Sequence, residues 1–539
     1  MKTDDFVSIG RRIMKWLFFA IVLAIVTACG GSQQEGSGSA GGATSAAEFR
    51  ILASSEVKDL EPELVEKIRR ATGVNLRLSY AGTLELVDRI NSGEQFDAVL
   101  PAKGAYFALA STVKPLAQEK IMYSLVALGV KESKAKTFGW IKTPPTWADI
   151  AHQSQKGMFR YAMTNPASSN TGMSALLGLA AALAGKAEDL QPTDINPEKL
   201  RPFASGMRLT AGSSGWLAEA YLKDQDQLDG IINYESVLLS LNTNPVLREK
   251  LTIIYPQDGV ISADYPLILL NANKREQYNQ LILYIKGVEF QKTLMERTFR
   301  RPTNKDVVLL PLLTQTSVVE LLFPARLETV EAVLFGYLDI ARNPATSIFV
   351  LDVSGSMQGQ RIEQLQKSLL SLTGTDQKTL GGKFSRFQER EKVILITFHN
   401  SIDNIVSFDI GDRGAREKSL QAIRDFTSSL SANGGTAIYS AVHEAYKVAA
   451  HLIKTDPNRI YSIVLMTDGQ NTDGESFTQL KAYFRTLPPQ AQAIRVFPVL
   501  FGSARPEELN ELATMTGGRM FDATKIALQS VFKDIRGYQ

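Results

Sequence analysis

Two apolar runs, Ser347-Ile348-Phe349-Val350-Leu351 and Ser462-Ile463-Val464-Leu465-Met466, end abruptly in acid and hydroxyl residues. Short unbroken runs of this kind suit strands buried on both faces, as in a sheet covered by helices on either side. The first delivers Asp352-Val353-Ser354-Gly355-Ser356-Met357 into a loop, with Gly355 allowing the bend. The second ends in Thr467-Asp468-Gly469. Between them, Gly434-Gly435-Thr436 precedes a stretch that carries Ile438, Ala441, Val442, Ala445 and Ala449 on one helical face. Loops at the carboxyl ends of strands meet at the switch point of a doubly wound sheet. Asp352, Ser354, Ser356, Thr436 and Asp468 are therefore expected to converge. Two carboxylates and three hydroxyls make an all-oxygen set, which suits a hard divalent cation; Mg²⁺ or Mn²⁺ fits it better than Zn²⁺.

With strands expected at Lys392–Thr397 and Arg495–Phe501, residues 345–539 resemble a doubly wound, Rossmann-like von Willebrand factor type A domain. The resemblance implies a metal-ion-dependent adhesion site, with Asp352, Ser354 and Ser356 from the first loop, Thr436 from the second and Asp468 from the third. It implies binding rather than turnover: an acidic side chain of a protein partner completes the coordination of the metal. Adjacency puts Met357, Gln358, Gln470 and Asn471 at the rim.

The opening of the chain reads as an address. Polar residues ending in Arg11, Arg12 and Lys15 precede an apolar stretch of about 13 residues, Trp16–Ala28. A membrane span needs about 20, and a shorter stretch has the length of a signal-peptide core. Val26-Thr27-Ala28-Cys29 resembles the lipobox of bacterial lipoproteins, which implies cleavage before Cys29 and lipid on its thiol. An uncleaved anchor helix is the alternative. Cys29 is the single cysteine, so the fold cannot rest on an internal disulfide. Residues 30–47, rich in Gly, Ser and Ala, read as a flexible tether after a 1–29 signal peptide. The expected location is the extracytoplasmic face of a cell membrane, held by a lipid anchor.

From Phe49 strands and helices alternate, which predicts a parallel sheet with helices on both faces. Short strands are expected at Phe49–Ala53, Asn75–Tyr80, Phe96–Leu100, Phe159–Thr164, Gly230–Tyr234, Leu251–Tyr255 and Tyr265–Leu270, with one helix over Arg275–Arg300. The opening strand with Ser54-Ser55, then Tyr80-Ala81-Gly82-Thr83, then Met163-Thr164-Asn165-Pro166-Ala167-Ser168-Ser169, and a terminal Phe299-Arg300-Arg301-Pro302 follow in order. Residues 48–305 thereby resemble the type II, molybdate-type extracellular solute-binding proteins. The resemblance implies an α/β periplasmic-binding-protein-like domain of two lobes, with a cleft at Ser54, Ser55, Thr83, Ser168, Ser169 and Tyr234. Helix N-termini there favour anions, although Glu235 beside Tyr234 opposes one if it lines the cleft. The same hydroxyl residues also suit ordinary N-caps and turns. Residues 306–344 are too apolar for a loose linker and are expected to pack as a connector, with a helix over Leu327–Ala341.

Lys and Arg are scattered and the net charge is only +3, which argues against nucleic acid as a partner. His152, His399, His443 and His451 lack ligand spacing, and no Gly-x-Ser-x-Gly elbow, P-loop or nucleophilic cysteine is present. The sequence thus reads as a binding protein rather than an enzyme. It takes a protein partner through the cation site and uses the solute-binding-like module as sensor or scaffold. The alternative is an ABC-transporter-type extracellular receptor for a small molecule or oxyanion.

Overall fold

The computed structural model describes residues 48–314, 318–375, 379–502, 505–525 and 527–538. The signal peptide, Cys29 and the tether expected over 1–47 lie outside the described residues. Among the described residues no helix is long and apolar enough to cross a membrane.

The N-terminal region forms two lobes, each on a five-stranded sheet. In the first, the order is Leu76–Ala81, Phe49–Ser54, Ala98–Leu100, Pro266–Leu269, Ala117–Lys120. In the second it is Leu251–Ile254, Val126–Lys131, Gly230–Tyr234, Tyr161–Thr164, Met207–Ala211. The expected parallel sheet is corrected here to mixed sheets. Pro266–Leu269 runs antiparallel to both its neighbours, and Val126–Lys131 runs antiparallel to Leu251–Ile254 and Gly230–Tyr234. These strands are apolar on both faces, and burial alone does not encode direction. Local signals set the helix ends. Gly73 closes one helix at φ 72°, and Thr146 caps another by accepting from Asp149 N at 3.1 Å. The single helix expected over Arg275–Arg300 is two, Arg275–Ile285 and Val288–Thr298, separated at Gly287.

The C-terminal domain is built on a six-stranded sheet in the order Ile402–Asp409, Lys392–Phe398, Ala345–Asp352, Ile460–Thr467, Arg495–Leu500, Phe521–Asp522. All pairs are parallel except the antiparallel edge strand Ile402–Asp409. Alternation along Ala345–Asp352 divides its side chains: Ile348 and Val350 join the core under the helix Ile438–Thr455, while Phe349 and Leu351 face the other way. That second face shares one apolar cluster with Leu209, Leu217, Tyr221 and Ile231 of the second lobe. The connector helix Leu327–Phe335, continued as a π-turn over Gly336–Ala341, links both regions. Thr329 Oγ1 donates to Leu190 O at 3.1 Å, and the Phe335 ring lies 4.7 Å from that of Phe384.

The C-terminal domain touches both lobes. Its short helix Leu380–Ser385 packs on Thr83–Asn91 of the first lobe, with Gly381 against the Asp88 carboxylate. Its final helix, Leu528–Arg536, reaches the second lobe, where Asn165 Nδ2 donates to Arg536 O at 3.2 Å. The Tyr538 ring stacks 6.2 Å from Trp216, and Arg519 lies 3.0 Å above that indole. Asp534 faces the first lobe; burial, with the Glu85 carboxylate nearby, pushes it up to about 7, against the lowering charge of Arg519. Burial raises Glu85 as well. The docked state therefore holds a proton that the unfolded chain releases near pH 4. The contribution of Asp534 to stability is expected to be greatest in acid and to fall as pH rises from about 4 to about 7. Asp534→Asn should remove this slope and gain about 1–3 kcal/mol over wild type at pH 8, discounted for partial exposure. Melting curves of both proteins at pH 5 and pH 8 check it; parallel changes would sink the assignment.

Candidate functional site

The strand Ala345–Asp352 ends with its last carboxylate fully buried. Asp352 Oδ1 accepts from Ser354 N at 2.9 Å and Oδ2 from Thr467 Oγ1 at 2.7 Å. Burial raises the Asp352 carboxyl above the ordinary carboxylate range, and these hydrogen bonds partly offset it. The chain then turns through Gly355–Met357, where Gly355 N donates to Gly434 O at 2.9 Å. This bond ties the first loop to the second. Ser354 Oγ and Ser356 Oγ lie 3.0 Å apart, and Ser356 Oγ donates to Asp468 Oδ1 at 2.7 Å. The Thr436 hydroxyl borders the same point: a methyl built on Gly469 would stand 3.5 Å from Ser356 Oγ and 3.6 Å from Thr436 Oγ1. Thr436 N donates to Thr472 Oγ1 at 2.9 Å and to Asp473 Oδ2 at 3.2 Å, fixing the second loop on the third.

Four residues here had not been singled out from the sequence. Thr467, just before Asp468, and Thr472 and Asp473, further along the same loop, pin the loops together. Arg361, in the first turn of the helix Gln360–Leu370, donates to Ser356 O at 3.1 Å and pairs with Asp468 Oδ2. Of the expected rim, Gln358 and Gln470 are exposed, whereas Met357 is fully buried against the core. The placement of Met357 at the rim is thus corrected, because the tight turn at Gly355–Met357 directs its side chain inward. Asn471 spends its side chain on the loop, donating to Asp473 O at 3.1 Å and Glu475 O at 3.0 Å.

In the N-terminal region, the expected cleft residues are largely engaged with protein groups, and Thr83 and Tyr234 bond across the lobes. Ser54 Oγ accepts from Ala102 N at 2.8 Å, and Thr83 Oγ1 accepts from Asn170 N of the opposite lobe at 3.1 Å. Tyr234 accepts from Asn170 Nδ2 of its own lobe at 3.1 Å and donates to Glu56 Oε1 of the first lobe at 3.2 Å. Ser168 Oγ donates to Asn165 O at 3.2 Å, and Ser169 is buried at the start of the helix Asn170–Ala184. Ser55 and Ser168 line a cavity of about 1080 Å³ that Trp216, Lys533 and Gly537 help to close. Glu235 is buried and held by a two-pronged Arg301 contact, 2.7 Å at each oxygen, so its charge is already paired.

The family model for bacterial extracellular solute-binding proteins matches residues 49–300, and that of the von Willebrand factor type A domain matches residues 348–534. The chain joins a solute-binding domain to a type A domain. Among curated proteins, calcium-activated chloride channel regulator 1 of Equus caballus is 33% identical over 178 residues, covering 31% of this chain and 16% of that protein. Inter-alpha-trypsin inhibitor heavy chain H1 of Mesocricetus auratus is 28% identical over 134 residues, covering 24% and 13%. The chain spans less than a third of the length of the curated relatives it matches, 16% and 29% for the first two. Among solved structures, the ferric binding protein from Campylobacter jejuni is 15% identical, covers 53% of this chain and 96% of its own, and has a TM-score of 0.42. A von Willebrand factor type A protein from Catenulispora acidiphila is 18% identical, covers 36% and 43%, and has a TM-score of 0.27. The Asp-x-Ser-x-Ser loop lies within the residues matched to the type A family, and the cavity between the lobes is walled by residues of both domains.

Proposed function

We propose that this chain is a cell-envelope lipoprotein whose type A domain grips a protein partner through a divalent cation, Mg²⁺ or Mn²⁺, held by Asp352, Ser354, Ser356, Thr436 and Asp468. The solute-binding domain serves as sensor or scaffold. The working limits are 48–305 and 345–539, joined by 306–344.

The observation that carries this reading is the spacing of the loop oxygens. Adjacent oxygens around a small octahedral cation, each about 2.1 Å from it, stand about 3.0 Å apart. The Ser354–Ser356 and Ser356–Asp468 separations, 3.0 and 2.7 Å, are of that size. The donors are hard oxygens and include two buried carboxylates, Asp352, which accepts from Ser354 N and Thr467 Oγ1, and Asp468, which pairs with Arg361. A bound cation supplies an electrophilic point to which an acidic side chain can add. The chain's own residues position it: Thr467 orients Asp352, the Gly355–Gly434 bond joins two loops, and Asp473 holds Thr436.

The test is calorimetric unfolding in Mg²⁺ and in EDTA, for wild type and Asp352→Ala. A ligand at about 100 times its dissociation constant adds about 2.7 kcal/mol. Wild type should gain in Mg²⁺ and the variant should not. Equal melting of wild type in both buffers would refute the cation site. The cavity of about 1080 Å³ at the meeting of the lobes supports a second reading, a solute receptor for a small molecule or oxyanion.

A further inference from the structure

Arg361 stands beside the loop oxygens, at the start of the helix Gln360–Leu370. Its side chain is 41% exposed, yet its guanidinium turns inward to Asp468, which is fully buried. It also donates to the carbonyl of Ser356, so it grasps the first and third loops together. The backbone makes room for it. Gly502 has a φ of +100°, and a Cβ there would stand 3.0 Å from the Asp468 Cβ and 3.3 Å from the Arg361 Cζ. A side chain at 502 would meet both strain and crowding. A solvated surface arginine would need no such allowance.

The charge count gives the consequence. Asp352 and Asp468 bring two formal negative charges to a buried place, and Arg361 brings one positive charge to their edge. Asp473, whose carboxylate accepts from Thr436 N at 3.2 Å, adds a further negative charge at the second loop. Against that background Arg361 makes the loops one unit more positive: it opposes an entering divalent cation and, once the cation is held, favours an incoming carboxylate. A planar guanidinium on a side chain that is 41% exposed can also donate to a second carboxylate.

We propose that Arg361 is the specificity-determining residue of this site: it weakens the hold on the bare cation and reserves the charge for an acidic partner group. This rests on the cation reading above. The experiment titrates the full chain with Mn²⁺ alone by calorimetry, then titrates the Mn²⁺-loaded protein with glutarate as the carboxylate probe. Arg361→Gln should bind Mn²⁺ roughly tenfold more tightly and glutarate roughly tenfold more weakly than wild type, because one nearby unit charge has gone. Arg361→Lys keeps the charge on a point donor and should stay within about threefold of wild type for Mn²⁺. Wild-type affinities in Arg361→Gln would overturn the proposal while leaving the cation site standing. Equal tightening in the Gln and Lys variants would also overturn it, since charge would then not be the cause. Failure of the wild type to bind Mn²⁺ would remove the cation reading and the proposal together.

Discussion

Glu391→Ala should lower the stability of the folded chain by about 3–5 kcal/mol, the cost of leaving buried charge without its partner. Glu391 precedes the strand Lys392–Phe398 and is 1% exposed. Its two oxygens lie 2.8 Å from Arg536 Nη2, one of them also pairs with Arg342, and Oε2 accepts from Gln388 N at 3.1 Å. Both arginines are buried. Burial opposes the charged carboxyl, but the two guanidiniums outweigh it and hold the group below the ordinary range. Its contribution is therefore present above the unfolded carboxyl pKa and is lost only as pH falls through the lower folded value. That sense is opposite to Asp534. Arg342 belongs to the connector and Arg536 to the last helix, so one carboxylate fastens both to the type A sheet. Denaturant titration at pH 7 measures the loss. A change under about 1 kcal/mol would mean that water reaches the cluster in solution.

Trp147→Ala should cost about 3–5 kcal/mol, by cavity and by a broken hydrogen bond. The indole is 1% exposed, donates to Gly259 O at 2.8 Å and meets the Phe203 ring edge-on at 5.9 Å. Gly178 of the helix Asn170–Ala184 lies against it, where a Cβ would come within 3.3 Å of Nε1. Trp147 belongs to the second lobe, away from the sheet that Glu391 anchors. The apolar cluster shared by that lobe and the type A sheet predicts a joint unfolding transition. Both variants should then depress the same calorimetric peak. If Trp147→Ala moves one peak of two and Glu391→Ala the other, the regions melt independently and the shared cluster contributes little.

Much of this architecture is legible in the residues. The run ending at Leu351 and the run ending at Met466 are interior strands, and their polar termini meet, because unbroken apolar strands can only lie where both faces are covered. Gly73 and Thr146 mark helix ends by local chemistry, which needs no tertiary context. Strand direction at Val126–Lys131 and Pro266–Leu269 was not legible, since apolar side chains pair equally well either way. Met357 follows a polar loop residue and so suggested exposure; only the turn geometry shows it pointing inward. Arg361 opens an amphipathic helix and looks like any solvated charge until Asp468, more than a hundred residues away, arrives beside it. The hydroxyls of Ser54 and Thr83 read equally as ligand groups or as caps, and both accept backbone N–H groups.

The type A domain lies across the two lobes of the N-terminal region like a strap. The type A domain is fastened to the first lobe at Asp88 and to the second at Asn165 and Trp216. If the lobes were to part, one of those attachments would have to let go. Any molecule lodged in the cavity between them would leave at the rate of undocking rather than at a rate set by its own contacts. Residence time inside one domain would then be written by the surface chemistry of the other.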